Sequence, residues 1–146
     1  IPITTTKGEN LYDVIKKLSD EGVQLNITAI LTLDQVVKTA ESLNKNIFSI
    51  ISIFAGRIAD TGIDPNKIMR EAKNCINDLP EAKILWASPR QVLNILEAEQ
   101  VGADIITVTP ELLKKADNFG KNLDQLSLET VQMFYNDAKN AGYNID

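Results

Sequence analysis

Histidine is absent from these 146 residues, which removes imidazole general bases, Ser-His-Asp triads and the commonest metal ligand. The single cysteine, Cys75, allows no internal disulfide and no cysteine-rich zinc site, and it fits a reducing cytosol. Basic residues do not dominate. Lys+Arg number 15 against Asp+Glu 20, a net charge of −5, and the charges mix along the chain, so no nucleic-acid footprint is visible. Apolar stretches fall short of the roughly 18 residues that span a bilayer, and no basic segment followed by an apolar run opens the chain. The expectation is a cytoplasmic protein with neither nucleic acid nor membrane as partner. What is present, 44% apolar and 24% charged residues, suits one globular domain over residues 1–146 with a real core.

Leu11, Val14, Ile15 and Leu18 recur at helical spacing between about Glu9 and Glu21, and Gly22 supplies a left-handed stop. Val23 to Leu31 is short, β-branched and apolar and reads as a strand, after which Thr32 and Gln35 form a capping box for the next helix. That helix carries Val36, Val37, Ala40 and Leu43. Asn44-Lys45-Asn46 is turn material, and Ile47 to Phe54 is a second strand. Asp64-Pro65 reads as an N-cap and first-turn proline, opening a helix with Ile68, Met69, Ala72, Cys75, Ile76 and Leu79 on one face and Pro80 at its end. Lys83 to Ser88 is a third strand, followed by a helix with Val92, Leu93 and Leu96 inward and Gly102 as its stop; Ala103 to Val108 is a fourth. Thr109-Pro110 opens another helix. A last one, from about Ser127 to Ala141, is expected to bury Leu128, Val131, Phe134, Tyr135 and Ala138 before Gly142. Helices that alternate with near-continuously apolar strands imply an α/β fold with a parallel sheet. Eight βα units of a barrel need about 200 to 250 residues, so four units and a leading fragment make either a small open sheet or the back part of a barrel.

Functional groups of parallel α/β folds lie at the carboxyl ends of the strands. On the first strand Asn26 and Thr28 are two apart and point to one side, with Ile27 and Ala29 between them. On the second, Ser52 and Phe54 share a face, and Gly56 and Arg57 follow at the exit. On the third, Ser88 precedes Arg90 by two residues at the opening of a helix. Two arginines, a hydroxyl and helix-start amides at adjacent strand ends suit a phosphate. Each has a plainer reading: the arginines as surface ion-pair partners, Asn26 as a strand-end cap, Ser52 as a small core residue, Trp86 and Phe54 as core, Cys75 as helix packing, and the carboxylates as solvated helix faces. The combination at successive strand ends favours function.

In order and spacing, Asn26-Ile27-Thr28, Ser52-Ile53-Phe54-Ala55-Gly56-Arg57, Ala87-Ser88-Pro89-Arg90 and Gly102-Ala103-Asp104-Ile105-Ile106-Thr107-Val108 resemble the second half of the transaldolases. Ile1-Pro2-Ile3-Thr4 is similar to the Lys-Ile-Pro stretch of that family's fourth strand, without the lysine. The resemblance covers nearly the whole chain, and Ser-x-Phe-x-Gly-Arg is its most specific element. It implies a (β/α)8 TIM barrel, here from the end of strand four to the terminal helix. It also implies a lysine Schiff base that passes a dihydroxyacetone unit between sugar phosphates of the fructose 6-phosphate and erythrose 4-phosphate class. Such an iminium is an electron sink that needs no metal and no organic cofactor. By the resemblance, Asn26 and Thr28 hold the dihydroxyacetone moiety and the catalytic water, Ser52 and Phe54 line the same pocket, and Arg57, Ser88 and Arg90 bind the phosphate.

Fructose-6-phosphate aldolases resemble the chain more loosely, lacking the strand-five asparagine and carrying tyrosine where Phe54 stands, which favours transfer over cleavage. Trp86 stands where the family has a very small residue, and Pro89 replaces an apolar or aromatic one; an inward Trp86 would narrow the pocket. The resemblance puts the Schiff-base lysine just ahead of Ile1, and neither Lys7 nor Lys83 matches its position. Residues 1–146 alone are therefore expected to be inactive, as part of a longer enzyme. Small family members assemble into rings, so a homo-oligomer is expected, with Phe134 and Tyr135 as candidate contacts. Two other readings remain: a non-catalytic phosphosugar-binding module, and a flavodoxin-like open sheet that binds a partner, although no glycine-rich phosphate loop stands at any strand end.

Overall fold

The computed structural model describes residues 1–143, which fall into two compact units, Ile1–Leu112 and a second that begins at Leu113. The elements run α1 (Tyr12–Asp20), β1 (Leu25–Ile30), α2 (Leu33–Glu41), β2 (Ser49–Ile53), α3 (Ala55–Ala59), α4 (Pro65–Cys75), β3 (Ala82–Trp86), α5 (Leu93–Gln100), β4 (Ile105–Ile106), α6 (Pro110–Lys114), a 3-10 turn (Lys115–Asn118) and α7 (Leu123–Asn140). All four strands are parallel, in the order β1-β2-β3-β4. Ile1 to Ile3 continues the ladder beyond β1: the Ile3 amide donates to the Thr28 carbonyl at 3.0 Å and the Thr28 amide to the Ile1 carbonyl at 2.9 Å. Strictly sequential order is what successive right-handed βα units build when each adds on the same side. A flavodoxin-like sheet instead reverses at a switch point, and none occurs among the described strands.

Parallel neighbours in register point the same way, which assigns the two faces of the sheet. Leu25 and Ile27, Ile51 and Ile53, and Ile84 and Trp86 lie on the helix-covered face. They pack with Ile15, Val36, Met69, Ala72 and Ala98 in one core. Each fully buried isoleucine there contributes about 1.5–3 kcal/mol. Asn26, Ile50, Ser52, Lys83 and Leu85 occupy the opposite face. Trp86 is therefore aligned with Ile53 and 1% exposed in the core, so it does not narrow a pocket on the Asn26 side. The two expected caps are present. Thr32 and Gln35 exchange both bonds of the capping box, and Asp64 accepts from the Asn66 amide ahead of Pro65.

Several expectations are corrected. The first helix starts at Tyr12 rather than Glu9, because Thr5 and Glu9 close a turn and Leu11 donates its amide to the Ile3 carbonyl. The fourth strand shrinks to Ile105–Ile106, since the Asp104 carboxylate takes the Ile84 amide at 2.8 Å in place of a backbone partner. Val14, Val37 and Leu93 are exposed; these short helices bury a narrower stripe, through Ile15, Val36 and Ala98. The last helix begins at Leu123, where Asn122 caps the Gln125 amide, and buries nothing: Leu128, Val131, Phe134 and Tyr135 are all exposed, and Ala138 is only partly covered. No helix among the described residues is long and apolar enough to cross a membrane.

Candidate active site

The Ser52 hydroxyl donates to Asn26 Oδ1 at 2.6 Å across adjacent strands. Ser52 is 2% exposed while Asn26 is open to solvent, so the bond orients the asparagine and leaves its amide N–H groups facing outward as donors. Thr28 is not drawn into this pair. Its hydroxyl donates to the Ile1 carbonyl at 3.5 Å, and an extra residue between Ile27 and Ile30 breaks the register with β2 immediately afterwards. Ala29 occupies that bulge at φ 62, a conformation that costs an L-residue roughly 1–2 kcal/mol. Bulges of this kind re-aim side chains near functional sites.

At the β2 exit the chain turns at once into α3, a helix that the strand pattern did not announce. Gly56 lies on it because of space. A Cβ there would stand 1.5 Å from the Ser88 carbonyl oxygen and 3.3 Å from Arg90 Cγ. The Gly56 amide also donates to the Ala87 carbonyl at 3.3 Å. Backbone thus meets backbone, and α3 is seated on the loop that holds Ser88 and Arg90. Arg57 is exposed, with its guanidinium 6.0 Å from the centre of the Phe54 ring, at the edge of cation–π range.

Ser88 sits at φ 58, a left-handed conformation for a residue with a side chain. Such strain persists where the surroundings over-determine it, here through the Gly56 contact. Arg90 follows, its backbone amide donating to Asn94 Oδ1 at 2.8 Å, as does that of Gln91 at 2.9 Å. Its side chain pairs with Asp60, Nε to Oδ1 at 3.2 Å and Nη2 to Oδ2 at 2.5 Å. Ser88 and Arg90 border an open cleft of about 340 Å³ with Thr107, Val108 and Thr109. A second cavity, about 200 Å³, is lined by Gly56, Asn94, Arg90 and Trp86. The indole Nε1 of Trp86 is buried with no hydrogen-bond partner.

A family profile described as Transaldolase/Fructose-6-phosphate aldolase matches residues 1–146. The chain belongs to this family. Among its relatives is a protein named "Probable transaldolase" from Nitrosopumilus maritimus, 34% identical over 102 residues, which are 68% of this chain and 44% of that one. Another of the same name, from Bartonella tribocorum, is 33% identical over 131 residues, 89% of this chain and 56% of that one. A third, from Thermoplasma volcanium, is 34% identical over 101 residues, with 68% and 44% covered. The chain spans about half the length of the curated relatives it matches. The transaldolase family is built on the (β/α)8 barrel, and the sequential parallel sheet is part of one.

Of the expected transaldolase residues, Asn26 pairs with Ser52, Ser88 and Arg90 lie together against Gly56, and Arg57 stands over Phe54, with Thr28 turned to Ile1. Asp60 and Asn94 went unremarked in the sequence. Asp60 left no local signal, because its partner Arg90 lies 30 positions away. Asn94 could have been found as a side-chain acceptor four residues after Arg90.

Proposed function

We propose that this chain is the carboxyl-terminal part of a transaldolase-type enzyme, transferring a dihydroxyacetone unit between sugar phosphates through a lysine Schiff base. The observation that supports this reading is the seating of Gly56 against Ser88 and Arg90, with Arg57 the next residue after Gly56. Two guanidinium forks and a hydroxyl suit a phosphate dianion. In this reading the amine is the family's strand-four lysine, whose place by the resemblance is just ahead of Ile1. It condenses with the substrate ketone, losing water, and the iminium accepts the electron pair of the breaking carbon–carbon bond.

The outward amide of Asn26, fixed by Ser52, holds hydroxyls of the three-carbon unit and orients the water that later releases it. Thr28 assists from the same strand, and Phe54 lines the pocket. Arg57, Ser88 and Arg90 anchor the far end of donor and acceptor, so the reacting carbons are placed by remote binding energy. Asn26 and Phe54 favour transfer over simple aldol cleavage. A cytoplasmic homo-oligomer belongs to the same reading, with exposed Phe134 and Tyr135 of α7 as candidate contacts.

The test is borohydride reduction of the intact protein incubated with fructose 6-phosphate, followed by mass spectrometry. A reduced three-carbon adduct on a lysine is expected, and erythrose 4-phosphate should discharge it before reduction. No adduct would refute a Schiff-base enzyme and favour a phosphosugar-binding module; an adduct that erythrose 4-phosphate leaves in place would favour a lyase.

A further inference from the structure

We infer that Asp60 is a positioning residue for phosphate recognition, holding one edge of the Arg90 guanidinium so that the other edge faces the ligand. The inference rests on the assignment of Arg57, Ser88 and Arg90 to a sugar phosphate. A guanidinium presents two forks, one from Nε with a terminal nitrogen and one from the two terminal nitrogens. Asp60 takes the first through both carboxylate oxygens. The second has no protein partner among the described residues, and it is the edge that fits a phosphate in a bidentate manner. Exposed ion pairs contribute little unless the geometry is bidentate or several charges form a network. This pair is bidentate, although both side chains are about half exposed.

Placement reinforces the argument. Asp60 caps the carboxyl end of α3, its amide bonded to the Gly56 carbonyl at 3.0 Å. One short helix therefore supplies Gly56 against the Arg90 stem, Arg57 as a phosphate ligand, and Asp60 as the clamp. Arg57 precedes Asp60 by three residues on this segment, with its guanidinium over the Phe54 ring. Fixing Arg90 in advance also spares the ligand the ordering of a long, flexible side chain. The Arg90 backbone is held independently by Asn94.

The test is calorimetric titration of the intact protein with inorganic phosphate at low salt, for wild type, Asp60→Asn, Arg90→Lys and the double variant. Asp60→Asn should weaken phosphate binding about fivefold or more and leave the thermal midpoint nearly unchanged. Its effect should vanish in the Arg90→Lys background, where no fork remains to be oriented; a purely structural role would give the same loss in both. The Nε–H signal of Arg90 in nitrogen-edited NMR should be resolved in wild type and collapse into the averaged arginine envelope in Asp60→Asn. Unchanged or tighter binding by Asp60→Asn would overturn the inference while leaving the phosphate site intact. Absence of phosphate binding by the wild type would overturn the phosphate site itself, and the inference with it.

Discussion

Replacing Gly56 with alanine tests whether α3 is seated on the Ser88 loop. The new Cβ would lie 1.5 Å from the Ser88 carbonyl oxygen and 2.7 Å from its carbon. To reach ordinary contact the Ser88 backbone must retreat by about 2 Å, and no flexible side-chain tip is available to yield instead. The retreat sacrifices the Gly56 to Ala87 hydrogen bond, a loss of about 1 kcal/mol. Overpacking of a rigid contact adds about 1–3 kcal/mol or somewhat more. The sum is a destabilisation of about 3 kcal/mol. Displacing a phosphate ligand by even 1 Å can also cost roughly a hundredfold in rate, so kcat/KM should fall at least that far. Trp86, the sole tryptophan and 1% exposed, reports urea unfolding of this unit by its fluorescence. Gly62→Ala is the control, with φ 82 but nothing within 4 Å; it should lose only about 1–2 kcal/mol, from backbone strain. A Gly56→Ala protein within about 1 kcal/mol of wild type would refute the seating of α3 on the Ser88 loop.

Arg57→Ala should raise KM for phosphorylated substrates about tenfold or more, the loss of one charge-assisted contact; an unchanged KM removes Arg57 from the phosphate site. Asn122→Ala deletes the cap on the Gln125 amide and should cost the α7 unit about 1 kcal/mol, read as lost helicity in far-ultraviolet circular dichroism, with no change there if the cap is idle. Burial pushes the Asp104 carboxyl up, but the Lys73 hydrogen bond, the Ile84 amide and the nearby charges of Lys73 and Lys83 outweigh it, so the folded value lies below the ordinary one. Its contribution is thus complete above about pH 4, the unfolded value, and disappears as pH falls through the lower folded value. The urea midpoints of wild type and Asp104→Asn should differ at pH 7 and converge in that acid range; a constant gap would contradict the assignment.

Element order and strand identity were legible in the sequence because they rest on local chemistry. Thr32 with Gln35, and Asp64 with Pro65, can satisfy helix-start amides with residues only a few positions away. The apolar runs around Ile27, Ile51 and Ile84 could serve only as strands covered by helices. The approach of Ser52 to Asn26 was readable too, since neighbouring parallel strands bring their ends to one side. Periodicity misjudged Val14, Val37, Leu93 and all of α7, because an amphipathic stripe records that a face is apolar and not what covers it.

The remaining features required chain segments far apart in sequence to meet. That Trp86 turns to the helices follows from its register with Ile53, which alternation within β3 alone does not define. Gly56 is required by the Ser88 carbonyl, 32 positions away, and only the packing of α3 on that loop reveals it. The Asp60–Arg90 fork likewise joins residues 30 apart. Sequence determines which groups each strand end carries; the distances and pairings among those groups are set by how neighbouring βα units pack.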